Sequence, residues 1–147
     1  MWGMRAIDIL RAKGGATVTI PPDADVRTLL DLLAEHRIGA VVLSPDGTTI
    51  AGIVSERDVV RALAASGPGV LDQQVSSICS PEVHTVGLGV HIDALMRLMT
   101  DQRIRHIPVV ADGTLQGIVS IGDVVKHRIV ELEGERAALS DYISASG

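Results

Sequence analysis

Along this chain the apolar positions keep two rhythms in turn. Val26, Leu29, Leu30 and Leu33 follow an i, i+3, i+4, i+7 spacing, and Ile92, Leu95, Met96 and Met99 follow the same one. That spacing predicts an amphipathic helix in both places. Short β-branched runs come next, Ala40 to Leu43 and Ile107 to Val110, closed by Pro45-Asp46-Gly47 and Asp112-Gly113 and answered by Ile50 to Val54 and Leu115 to Val119. Paired runs across a glycine-containing turn predict two strands. Ser55 and Ser120 stand where the second strand ends, and Val59, Val60 and Leu63, or Val124, Val125, Ile129 and Leu132, mark a second helix. With a strand ahead of the first helix, each unit is predicted to run β-α-β-β-α.

The two units are copies. At an offset of 66 residues Thr19 falls on Thr85, Val26 on Ile92, Leu29 on Leu95, Leu33 on Met99, Arg37 on Arg103 and Asp46-Gly47-Thr48 on Asp112-Gly113-Thr114. One residue fewer in the second turn reduces the offset to 65, and Gly52, Ser55, Asp58, Val59 and Val60 fall on Gly117, Ser120, Asp123, Val124 and Val125. Like halves are expected to fold alike. Ser66-Gly67-Pro68-Gly69 breaks both kinds of regular structure and marks the junction. The expected organisation is a first motif over residues 7–66, a linker over 67–74, a second motif over 75–133 and a helical tail over 134–147.

Composition narrows the function classes. A chain of 147 residues is about one domain long, so two small repeats sharing one core is the natural arrangement. Hydrophobic residues make up 46% of the sequence and aromatics 1%, which requires an aliphatic interior with Met96 and Met99 as filler. The net charge is −5 and the basic residues are scattered, leaving no electrostatic footprint for nucleic acid. One cysteine, Cys79, forms no internal disulfide and reads as a small buried residue. No leader or membrane-length apolar run is visible, so a soluble cytoplasmic protein is expected. The five histidines, His36, His84, His91, His106 and His127, show no ligand spacing, and no metal site is expected. Trp2 and Tyr142 stand near the termini as candidates for a subunit interface.

The repeated block Gly-h-h-Ser-x-x-Asp, where h is apolar, carries the chemistry. It places a serine at a helix mouth, where unpaired N–H groups and the helix dipole favour an anion such as phosphate. One turn on, Asp58 or Asp123 is able to accept hydrogen bonds from a vicinal diol such as that of a ribose. The same Ser-x-x-Asp pattern is also an N-terminal capping box that needs no ligand. Both readings stand on the residues alone.

The order of elements, with "RIGAVVL" and "RIRHIPVV" ahead of the turn and "GIVSERD" and "GIVSIGD" after it, resembles a tandem pair of cystathionine beta-synthase (CBS) domains over Ile7 to Leu132. The resemblance implies an α+β fold of two α/β sandwich units, pseudo-twofold-related motifs around one core, with clefts for AMP, ATP, NAD or S-adenosylmethionine. It implies that Asp58 and Asp123 hold ribose and that Ser55 and Ser120 approach phosphate. Backbone around Thr17, Thr19, Ile20, Ile38 and Ala40, and around Val83, Thr85 and Ile107, would flank the adenine. Arg105-His106 is similar to a basic pair that faces phosphates in relatives, whereas the first repeat has Gly39-Ala40 there. Arg57 is the counter-asymmetry, since its match is Gly122. Arg57, Arg105 and His106 are therefore candidate phosphate ligands for either cleft, with Lys13 and Lys126 as weaker ones.

The expected function is a stand-alone regulatory sensor of adenine nucleotides, AMP foremost, acting on an effector protein in trans. The competing expectation is a ligand-free structural module for dimerisation. A homodimer is expected under either. No catalytic constellation, P-loop or Gly-x-Gly-x-x-Gly can be assembled, so no enzyme is expected.

Overall fold

The computed structural model describes residues 3–146, so Trp2 lies outside the described residues. Helix α1 (Ala6–Lys13) leads into the first unit, made of β1 (Thr19–Ile20), α2 (Val26–His36), β2 (Ala40–Leu43), β3 (Gly52–Ser55) and α3 (Glu56–Ser66). Two short 3-10 turns, Pro68–Asp72 and Val75–Ser77, connect to the second unit. That unit is β4 (Val86–Gly87), α4 (Ile92–Gln102), β5 (His106–Ala111), β6 (Thr114–Ser120) and α5 (Ile121–Ser146). In each three-stranded sheet the middle strand pairs parallel with the short first strand and antiparallel with the third. The β-α-β-β-α order predicted from the apolar rhythm is the order observed.

The helices form where the pattern places them. Asp25 caps α2 by accepting from the Thr28 N–H at 2.8 Å, and Val26, Leu29 and Leu33 turn one face inward. Ile92, Leu95 and Met99 do the same in α4. Burial of each such side chain contributes about 1.5–3 kcal/mol. Met96 differs from the expectation of core filler: it is 38% exposed, because it stands beside rather than on the stripe formed by the other three. Both helices end on an arginine in the left-handed conformation, Arg37 at φ 54° and Arg103 at φ 53°. This shared stop turns the chain directly into the middle strand.

The apolar interior divides into two clusters, one per unit. Each cluster borrows from the segment that precedes the other unit. Ala6 and Ile9 of α1 are fully buried in the second cluster, while Val70 and Val75 of the connecting turns are buried in the first. Helix α1 is anchored there by hydrogen bonds from Ala6 N–H to the Val90 carbonyl at 2.9 Å and from Ile7 N–H to the Leu88 carbonyl at 3.0 Å. On the first unit, Ser80 and Ile53 exchange backbone hydrogen bonds of 3.1 and 2.9 Å, which lays the connector along β3.

These crossings explain the repeated glycine. A Cβ on Gly52 would lie 3.0 Å from the Ser80 carbonyl oxygen and 3.1 Å from Cys79 Sγ, and one on Gly117 would lie 2.6 Å from Leu10 Cδ2. In both units the strand that ends in serine is covered closely by the other unit's leading segment. Cys79 is half-buried in this contact and burial pushes its thiol pKa up, which suits a packed side chain and not a nucleophile.

Helix α5 continues the second unit's last helix through the expected tail without a break. Its Val125, Ile129, Leu132, Leu139, Tyr142 and Ile143 are between 46% and 71% exposed. No helix of the described residues is long and apolar enough to cross a membrane.

Candidate functional site

At the entrance to α3 the chain leaves β3 at Ser55 and turns at once into the helix. The Asp58 N–H donates to Ser55 Oγ at 3.3 Å, and Asp58 Oδ2 accepts from the Ser55 N–H at 2.8 Å and from its hydroxyl at 3.1 Å. At the entrance to α5 the Asp123 N–H donates to Ser120 Oγ at 3.1 Å and the Ser120 N–H donates to Asp123 Oδ2 at 2.9 Å. Both blocks are thus capping boxes. The first helical N–H of each is taken as well, Glu56 by the Gly39 carbonyl at 2.9 Å and Ile121 by the Arg105 carbonyl at 2.8 Å. These bonds tie each helix mouth to the chain just ahead of its own middle strand.

The caps do not remove the residues from the surface of the clefts. A cleft of about 490 Å³ is lined by Ser55, Arg57 and Asp58 from the first unit and by Val83, Arg105 and His106 from the second. A second cleft, about 640 Å³, is lined by Thr17, Ile38 and Ala40 from the first unit and by Ser120 and Asp123 from the second, with Lys13 of α1 beside them. Each cleft therefore takes its acid from one repeat and part of its wall from the other, while Gly39, Ala40, His106 and Ser120 border both. Both volumes fall in the range that small-ligand sites occupy.

The basic residues are divided unequally. Arg57 and Arg105 line the first cleft, and His106 lines both. Arg61 and Arg103 also line the first cleft and were not singled out from the sequence. Arg61 is legible in hindsight, since it stands one helical turn beyond Arg57 on α3; Arg103 was visible only as the match of Arg37. Glu56 and Glu82 oppose this positive group from the same cleft. In the second cleft Lys13 Nζ lies 2.9 Å from Asp123 Oδ2 and donates to the Ile118 carbonyl at 2.9 Å. Nearby, the Thr17 hydroxyl donates to the Gln116 carbonyl at 3.1 Å.

Electrostatics follow from these positions. Burial alone raises the Asp123 carboxyl, but the Ser120 N–H and Lys13 together outweigh it and hold its pKa below the usual aspartate value. Burial pushes the His106 imidazole down, and Arg105 adds to the effect while Glu56 opposes it. His106 is the common wall: a Cβ on Gly39 would touch its ring at 3.4 Å, which leaves the glycine as the residue that makes room for it.

Four residues expected to flank adenine lie outside the lining of both clefts. Ile20 and Ile107 are buried core residues, Thr19 pairs in register with Val42, and Thr85 is exposed just ahead of β4. The alternation of side chains along a strand sends Ile20 and Ile107 inward. Lys126 is exposed on α5 and lines neither cleft. His127 is buried, its Nδ1 2.9 Å from the Asp123 carbonyl oxygen.

The duplicated sequence that builds these two clefts matches a family model, that of the CBS domain, over residues 16–65 and again over 75–129. The chain belongs to the CBS-domain family. A mitochondrial CBS domain-containing protein of Arabidopsis thaliana is 35% identical over 144 residues, covering 92% of this chain and 70% of the relative. The crystal structure of a CBS-domain containing protein from Agrobacterium tumefaciens superposes with a TM-score of 0.81 at 41% identity, covering 85% of this chain and 99% of that one. A CBS domain protein of Pyrobaculum aerophilum, complexed with AMP, superposes with a TM-score of 0.76 at 28% identity over 88% of this chain and 97% of its own. This CBS pair therefore has the two tandem motifs and the mixed α and β architecture of its relatives.

Proposed function

We propose that this CBS pair is a regulatory module that binds an adenosine-containing nucleotide, AMP foremost and ATP or NAD as alternatives, and passes the change to a partner protein. The observation that carries the reading is the cross-pairing of the clefts. In each, an aspartate one turn inside a helix shares the cleft with residues of the opposite repeat, Val83 and Arg105 beside Asp58, and Thr17 and Ile38 beside Asp123. Ribose hydroxyls then bond to Asp58 or Asp123, and the adenine edge meets main-chain groups near Val83 or near Thr17 and Ile38. Phosphate in the first cleft meets Ser55, Arg57, Arg105 and His106. Ligand contact with both repeats at once gives binding a means of changing how they sit together. The complex of the Pyrobaculum aerophilum relative with AMP supports this choice of ligand class. The role is non-catalytic, the site of action is the cytoplasm, and the form is a homodimer assembled through exposed apolar residues of α3 and α5 such as Val60, Val125 and Ile129.

A second reading has its own support: the Ser and Asp of both blocks are already satisfied as caps. On that reading the pair is a dimerisation scaffold with unused clefts. Calorimetry separates the two. Asp58→Ala or Asp123→Ala deletes a charged acceptor worth about 1.5–3 kcal/mol per hydrogen bond, so nucleotide affinity is expected to fall tenfold or more. Affinity unchanged in both variants contradicts the ribose role, and no heat with AMP, ATP or NAD at millimolar concentration leaves the scaffold.

A further inference from the structure

The two ribose acceptors are not in the same state. Asp58 is engaged by its cap, and among the described residues no cation pairs with it. Asp123 is engaged by its cap and also by the Lys13 ammonium, 2.9 Å from Oδ2. The side chains of Lys13 and Asp123 are 39% and 21% exposed, which places the pair at the mouth of the second cleft and not inside a core. Lys13 is the last residue of α1, and the chain leaves it through Gly14 and Gly15, both at positive φ and both with open space around the position a Cβ would take. The ammonium thus sits at the end of α1, held by Asp123 and by the Ile118 carbonyl, in contact with the group a nucleoside would need.

A diol that takes the place on Asp123 Oδ2 displaces Lys13 from it. A ligand with a phosphate offers the released ammonium a new anionic partner within the same cleft. A ligand without one leaves the ammonium with the Ile118 carbonyl and water, and forfeits the charge-assisted hydrogen bond to the carboxylate. The first cleft has no such exchange to make, because its cations, Arg57, Arg61, Arg103 and Arg105, do not occupy Asp58.

We propose that Lys13 is a selectivity gate that admits phosphorylated nucleotides to the second cleft and turns away the unphosphorylated nucleoside. The proposal rests on the reading that the clefts hold adenosine ligands, and it adds which of those ligands the second cleft accepts.

The test isolates the second cleft with Asp58→Ala and titrates AMP and adenosine by calorimetry. With Lys13 present, AMP is expected to bind at least about tenfold more tightly than adenosine. Adding Lys13→Met is expected to weaken AMP and strengthen adenosine, narrowing the preference by about threefold or more even with Arg37 still lining the cleft, while Lys13→Arg keeps it. The gain for adenosine is the decisive readout, because a lysine that only stabilised the fold would not improve any ligand when removed. An unchanged preference in Lys13→Met, or a loss of both ligands together, overturns the gate while nucleotide binding by the parent stands. If the parent chain binds none of AMP, ATP and NAD, the functional reading fails and the gate falls with it.

Discussion

Replacing Gly52 with alanine is the sharpest structural test of how the repeats are interlocked. The new methyl would meet the Ser80 carbonyl oxygen at 3.0 Å and Cys79 Sγ at 3.1 Å. Ser80 has little freedom to retreat, since its N–H and carbonyl are both hydrogen-bonded to Ile53, at 2.9 and 3.1 Å. Accommodation therefore means overpacking, at about 1–3 kcal/mol, or loss of one of those bonds, at about 0.5–1.5 kcal/mol. Either route predicts Gly52→Ala to be destabilised by about 2 kcal/mol, read as a lower urea midpoint and a melting temperature down by roughly 4–8 °C, at the 2–4 °C per kcal/mol usual for chains near this size. Gly117→Ala is the control. There the closest atom is Leu10 Cδ2, the tip of a side chain that can rotate away, so the loss is expected to stay under about 1 kcal/mol despite the shorter 2.6 Å approach. Adding Cys79→Ala to Gly52→Ala removes one of the two obstructions and is expected to restore part of the loss. A Gly52→Ala protein as stable as the parent, or a Gly117→Ala protein less stable than Gly52→Ala, refutes the account of a rigid connector over the first unit and a yielding helix over the second.

Three further outcomes follow from the same geometry. Gly134 lies inside α5 with nothing within 4 Å of its Cβ position, so Gly134→Ala is expected to stabilise the helix by up to about 1 kcal/mol, measured by circular dichroism on heating. Asp58→Ala removes the acceptor of the Ser55 N–H and is expected to lose about 1 kcal/mol of stability in denaturant titration, whereas Asp58→Asn keeps one acceptor and loses less. His106 has a folded-state pKa below its ordinary value of 6.5, so the unfolded chain binds more protons just below that pH and stability is lost as pH falls through the window. Thermal melts between pH 8 and pH 5 are expected to show a smaller decline for His106→Gln than for the parent, and equal declines would contradict the assigned burial.

Much of this architecture could be read in the apolar spacing. The stripes at Val26, Leu29 and Leu33 and at Ile92, Leu95 and Met99 are helical faces, and the runs around Val41 and Val109 are middle strands, because a period of three to four or of two admits few other structures. Helix α1 was not legible. It spans only Ala6–Lys13, has two buried residues, and its counterpart ahead of the second unit is a pair of 3-10 turns, so the repeat gives it no support. The exchange of leading segments was hidden for the same reason: Val70 and Ile9 look like ordinary apolar residues until the fold shows whose core they enter. Ser55, Asp58, Ser120 and Asp123 are legible because the same serine and aspartate recur where an apolar strand gives way to a helix. That each aspartate shares a cleft with residues of the other repeat depends on long-range packing, which spacing does not encode. Arg61 and Arg103 are not legible as cleft residues in the sequence, since a single surface arginine carries no signal until a cleft gathers several.

The most direct test of nucleotide binding is a crystal structure of the chain grown with AMP. The account predicts density in the first cleft with the ribose diol on Asp58 and the phosphate among Ser55, Arg57 and Arg105, and density in the second cleft with Lys13 drawn off Asp123 toward the phosphate. Clefts holding only water, with both capping boxes and the Lys13–Asp123 pair as they stand, would contradict it.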